Sequence, residues 1–104
     1  MTKFDFNKAI PFESTSVGEV IQDELNARNM KQSELSRLTG IQRPILNDVI
    51  KGKRSLTPEM ALLIEMALDI SATYLLNIQT QYKLDCARRS ERVVAQQARM
   101  LQHA

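Results

Sequence analysis

Between Met30 and Arg54 stand Gln32, Gln42, Arg43, Asn47, Lys51, Lys53 and Arg54, side chains rich in hydrogen-bond donors. Their chemistry is recognition of base edges and phosphates. An arginine pairs bidentately with guanine O6 and N7, and an asparagine with adenine N6 and N7. The basic residues at the end of the run suit phosphates, which position a protein without reading sequence. Spacing sorts the set. Starting at Arg43 and advancing about 100° per residue, Asn47, Lys51, Pro44 and Asp48 fall on one half of a helix. Ile45, Leu46, Val49 and Ile50 fall on the other half. The apolar half can lock onto neighbouring helices while the polar half faces outward from a fixed platform. Asp48 is the discordant member, because it repels phosphate unless it accepts from cytosine N4 or pairs with a neighbouring base.

Helical periodicity dominates the elements that must hold this face, and strand signals are almost missing. Ser16 and Glu19 form a capping box, followed by Val17, Val20, Ile21 and Leu25, so a first helix runs to about Arg28. A second covers about Gln32 to Thr39 with Leu35 and Leu38 inward, and Gly40 suits its left-handed C-cap. A third starts near Gln42, carries Pro44 in its first turn and stops at Gly52. It is the element expected to lie in the major groove. Thr57-Pro58-Glu59 opens a fourth helix, a capping Thr followed by Pro at the first helical position. Its body, Met60 to Leu68, is apolar nearly all round and is expected in the core of a bundle. Ser71 caps a fifth helix with Tyr74, Leu75, Ile78 and Tyr82.

The pattern predicts an all-α chain: a five-helix DNA-binding domain over 16–82, an irregular segment over 1–15 and a helical C-terminal extension over 83–104. The extension has no Gly or Pro and can continue the fifth helix. An unbroken helix from Ala72 to the end would be roughly 45–50 Å long, so part of it must project. Either it packs on a partner through Val94, Ala98 and Leu101, or it is a solvated tail.

Bulk properties narrow the classes. The 104 residues make one domain, with 43% hydrophobic and 25% charged residues. No apolar run is long enough for a membrane span and no signal-peptide pattern opens the chain. A single cysteine, Cys86, fits a reducing cytoplasm and reads as a buried or half-buried apolar residue. One Cys and one His, His103, make no metal site, and no acid–base set points to an enzyme or a cofactor. Net charge is only +2, but residues 31–54 carry +4 and 83–104 carry +3, against −2 over 1–30 and −3 over 55–82. Two basic blocks in an otherwise acidic chain mark local anion-facing surfaces.

Gln32 through Gly40, then Ile41 through Gly52-Lys53-Arg54, resembles the helix-turn-helix of the phage-repressor (Xre/Cro-type) superfamily. Lys53 through Ala61 together with Ile70 through Arg88 resembles, more narrowly, the HigA family of antitoxins. The resemblance covers about Val17 to Arg89. It implies that Gln42, Arg43, Pro44 and Asn47 occupy base-reading positions, and Gln32, Lys51 and Lys53 backbone-contacting ones. Arg54 joins them on charge and place. The chain departs from the family at Lys31, where Ser or Thr is usual, and at Tyr74-Leu75, where Phe-Trp is usual. The resemblance further implies a homodimer on palindromic double-stranded operator DNA, with recognition helices about 34 Å apart. It also implies a partner, a HigB-type mRNA-endonuclease toxin. A stand-alone repressor without a toxin is the alternative, and an interaction module that has lost DNA is a third. The fifth helix and the extension are the candidate dimer surface.

Overall fold

The computed structural model describes residues 15–102 and is all-helical over them. The expected irregular segment, apart from Thr15, lies outside the described residues, as does His103. Among the described residues six helices follow one another: α1 (Val17–Ala27), α2 (Gln32–Thr39), α3 (Arg43–Ile50), α4 (Pro58–Leu68), α5 (Ala72–Arg88) and α6 (Glu91–Gln102).

Local chemistry sets the ends. Ser16 Oγ accepts from Glu19 N–H at 3.2 Å, Thr57 Oγ1 from Met60 N–H at 3.2 Å and Ser71 Oγ from Tyr74 N–H at 3.2 Å, each meeting a donor that the first helical turn leaves without a partner. Lys31 makes no side-chain cap bond, as its departure from Ser or Thr implies. The C-terminal ends of α1 to α4 close with left-handed residues: Asn29, Gly40, Gly52 and Asp69 all have φ between 54° and 79°. Asn and Asp reach this region at modest cost because their short polar side chains bond locally.

α1 to α5 enclose a single core of Val17, Ile21, Leu25, Leu35, Ile41, Leu46, Val49, Leu56, Ala61, Ile64, Leu68, Ala72 and Leu75. Each fully buried large side chain contributes about 1.5–3 kcal/mol relative to exposure. α4 packs on α2 and α5, α3 on α1 and α2, and α5 also on α1. The guanidinium of Arg28, just past α1, donates to the Leu68 carbonyl and so closes the C-terminal end of α4. Gly18 is a contact point of a different kind. A Cβ there would lie 2.1 Å from the Ile50 carbonyl oxygen, so glycine lets α1 touch the end of α3.

Four expectations need correction. Leu38 is not inward but about half exposed, because Leu35 and Thr39, four apart, take the buried stripe of α2. α4 is not buried all round: with neighbours on one side only, it leaves Leu62 and Met66 exposed. The fifth helix does not run on through the extension. It stops at Arg88, and Ser90 starts α6, its Oγ accepting from Val93 N–H at 3.2 Å. Cys86 is exposed, because the buried residues of α5, Ala72 and Leu75, lie in its first turns, far from this end.

α6 carries no buried residue, and the described chain is accordingly elongated, 54 × 22 × 19 Å.

Candidate nucleic-acid interface

The turn between α2 and α3 is fixed by four hydrogen bonds. Gly40, at φ 78°, donates from its N–H to the Ser36 carbonyl at 2.8 Å. Ser36 Oγ donates to the Ile41 carbonyl at 2.5 Å. Thr39 Oγ1 donates to the Leu35 carbonyl at 2.8 Å and accepts from Ile41 N–H at 3.2 Å. Buried Leu35, Ile41 and Leu46 sit beneath it. The angle between the two helices is therefore held by both polar and apolar contacts.

α3 divides as its periodicity predicts. Leu46 and Val49 are buried, with Ile45 and Ile50 half-buried beside them. Gln42, Arg43 and Pro44 are exposed at its N-terminal end, and Asn47 is half-buried one turn further on. Gln42 is the N-cap but makes no side-chain cap bond. Pro44 sits in the first turn, where a missing N–H costs nothing. Gln42, Arg43 and Pro44 thus stand exposed at the start of α3, with Asn47 one turn beyond Arg43.

Lys51, Lys53 and Arg54 are exposed at the opposite end. Gly52, at φ 79°, closes α3 in a Schellman turn. Its N–H donates to the Val49 carbonyl at 3.1 Å, and Lys53 N–H donates to the Asp48 carbonyl at 2.8 Å. Arg54 N–H reaches the same carbonyl at 3.3 Å. This closure also settles the place of Asp48. Its carboxylate lies 4.0 Å from the Arg54 guanidinium, an exposed pair that adds little stability but offsets the negative charge beside the basic end.

Gln32 stands at the first position of α2, half-buried, and its amide donates to Gln22 Oε1 of α1 at 3.2 Å. Neither Gln22 nor Gly18 stands out in the sequence, since one reads as a polar surface position and the other as a helix interruption. Two more residues escape sequence reading. Gln79 of α5 accepts from Leu56 N–H at 2.6 Å and donates to the Leu56 carbonyl at 2.9 Å. Lys83 Nζ donates to Ser55 Oγ at 2.5 Å. Beyond lying in the Ile70–Arg88 stretch that carries the family resemblance, their sequence signal is recurrence four apart, one helical turn, on α5. A cleft of about 190 Å³ lies behind the basic turn, lined by Val17, Gly18, Lys53, Arg54, Tyr82 and Lys83 among others. The Tyr82 phenol is held above its usual range, chiefly by the charge of neighbouring Cys86 and then by its hydrogen bond to Cys86.

The Helix-turn-helix family (HTH_3) matches residues 21–75, the stretch from α1 to the first turn of α5. An uncharacterized HTH-type transcriptional regulator, YddM, of Escherichia coli (strain K12) is 31% identical over 67 residues, covering 64% of this chain and 71% of that one. The crystal structure of a hypothetical protein from E. coli superposes with a TM-score of 0.77 at 26% identity, covering 84% of this chain and 90% of the other. The antitoxin HigA of Pseudomonas aeruginosa, solved with the higBA promoter, superposes with a TM-score of 0.69 at 25% identity, covering 88% of this chain and 94% of that one.

Proposed function

The chain belongs to the Helix-turn-helix family of Xre-type regulators, and from that premise we propose that it is an antitoxin that represses its own operon by binding operator DNA as a homodimer. The observation that carries the DNA reading is the two-ended surface of α3. Arg43 and Asn47, flanked by Gln42 and Pro44, form the base-reading end. Lys51, Lys53 and Arg54, with Gln32 across the turn, grip phosphates on either side. α3 lies in the major groove and α2 crosses the backbone. In a dimer the two recognition helices stand about 34 Å apart and enter successive grooves on one face of the duplex. The apolar residues left exposed beyond the core, Leu84 on α5 and Val93, Val94, Met100 and Leu101 on α6, supply the dimer surface.

The toxin-neutralising role is supported by likeness to a HigA antitoxin and by the resemblance that runs on through Arg88. The partner is then a HigB-type mRNA endonuclease. A stand-alone repressor fits the same α3, and co-purification with the product of the neighbouring small reading frame separates the two. Failure to form a stable complex leaves the repressor.

The DNA reading is tested by selecting duplexes against the purified protein and comparing two variants on the winner. Arg43→Ala weakens binding by about 1–3 kcal/mol and relaxes base preference at one position per half-site. Lys53→Ala weakens all sequences alike and lowers the slope of log K against log salt by about one. Equal effects of the two on specificity refute this division of labour, and no enriched duplex refutes DNA binding itself.

A further inference from the structure

The residues that follow α3 are held at three points, two of them by α5. At the near end the Schellman bonds of Gly52 and Lys53 fix the turn to the last carbonyls of the helix. In the middle, Lys83 Nζ holds Ser55 Oγ. At the far end, the Gln79 amide pairs with both the N–H and the carbonyl of Leu56, at 2.6 and 2.9 Å. Leu56 is only 3% exposed, so these two backbone groups sit where water does not readily replace a missing partner. Such a paired amide works as a single backbone rung. It fixes position along the chain and rotation about it together. Lys53 and Arg54 lie within the fastened segment and are exposed.

We propose that Gln79 is a positioning residue of the DNA-binding surface: from α5 it clamps Leu56, and through that clamp it sets where Lys53 and Arg54 meet the phosphate backbone. The assignment rests on the DNA-binding reading. Gln79 itself does not touch DNA. It works by sparing the protein the entropy of ordering a loop at the moment of binding, the cost that a preorganised loop has already met on folding. Without it, both basic side chains still carry their charge but spread it over many positions.

The test is a double-mutant cycle on a duplex selected against the unaltered protein, measured well below the melting temperature and corrected for the folded fraction. Gln79→Ala binds about tenfold more weakly, and its salt slope falls by about one for each phosphate that is no longer neutralised. Gln79→Met, which keeps the volume but removes both hydrogen bonds, behaves the same way and guards against a variant that fails to fold. In a Lys53→Ala/Arg54→Ala background, replacing Gln79 costs no further affinity, because the groups it positions are gone. An unchanged affinity and slope in both single variants overturns the inference. So does an equal drop in affinity in the basic-free background, which is what a purely structural role produces. If the unaltered protein enriches no duplex, the DNA-binding reading fails and this inference falls with it.

Discussion

α3 and α6 are both short amphipathic helices, of eight and twelve residues, and the fold treats them oppositely. α3 buries Leu46 and Val49, rests against Gly18 through the carbonyl of Ile50 and shows solvent chiefly its polar face. α6 buries nothing, and Val93, Val94, Met100 and Leu101 all lie exposed. An apolar stripe therefore announces that a helix can be covered, not that its own chain covers it. α3 is covered on its apolar side because the turn at Gly40 lays it against α1 and α2. α6 follows the long α5 past the core, away from the other described helices. On the proposed function the difference is functional as well. Base reading needs a platform held rigidly by its own domain, whereas an uncovered stripe serves best where a second molecule completes it.

The sharpest way to break this comparison is to remove one buried and one exposed leucine. Leu46→Ala leaves a cavity under α3 and destabilises the domain by about 2–5 kcal/mol in chemical denaturation. If it costs under about 1 kcal/mol, α3 is not locked by the core. Next in size is Gly18→Ala. The added methyl must displace the Ile50 carbonyl, which costs about 1–3 kcal/mol in stability and shifts α3, visible as chemical-shift changes through Asn47. Smallest is Leu101→Ser. Stability of the dilute protein changes by no more than about 0.5 kcal/mol, while sedimentation shows weaker self-association. A large drop in stability at high dilution means that α6 is covered within its own chain after all.

Much of the fold is legible in the sequence because its signals are local. Ser16, Thr57, Ser71, Gly40 and Gly52 announce helix ends by chemistry that acts within a turn. The two faces of α3 follow from period alone. What the sequence hides is tertiary. Whether Leu38 or Thr39 faces inward depends on where α4 and α3 lie, and the exposure of Met66 depends on α4 having neighbours on one side only. The break at Arg89 and Ser90 carries a weak signal, one serine before Glu91 in a run of good helix formers. At the interface, the side chains that face outward are readable by type and spacing. The ones that support them, Gly18, Gln22, Gln79 and Lys83, act across 10 to 32 residues of chain, beyond any local pattern.

The Schellman closure at Gly52 and the Gln79 rung at Leu56 also make this stretch a ruler. Surface loops ordinarily accept added or missing residues because closing a slightly longer loop costs little. Here both ends are pinned by bonds that count residues: Lys53 must fall five past Asp48, and Leu56 must meet an amide that cannot slide along α5. Adding or deleting one residue between Gly52 and Leu56 breaks one fastening or the other. The joint at Arg89 and Ser90 is closed by backbone bonds that reach back to Cys86 and Ala87, so a residue added there re-aims α6 and leaves the basic turn in register.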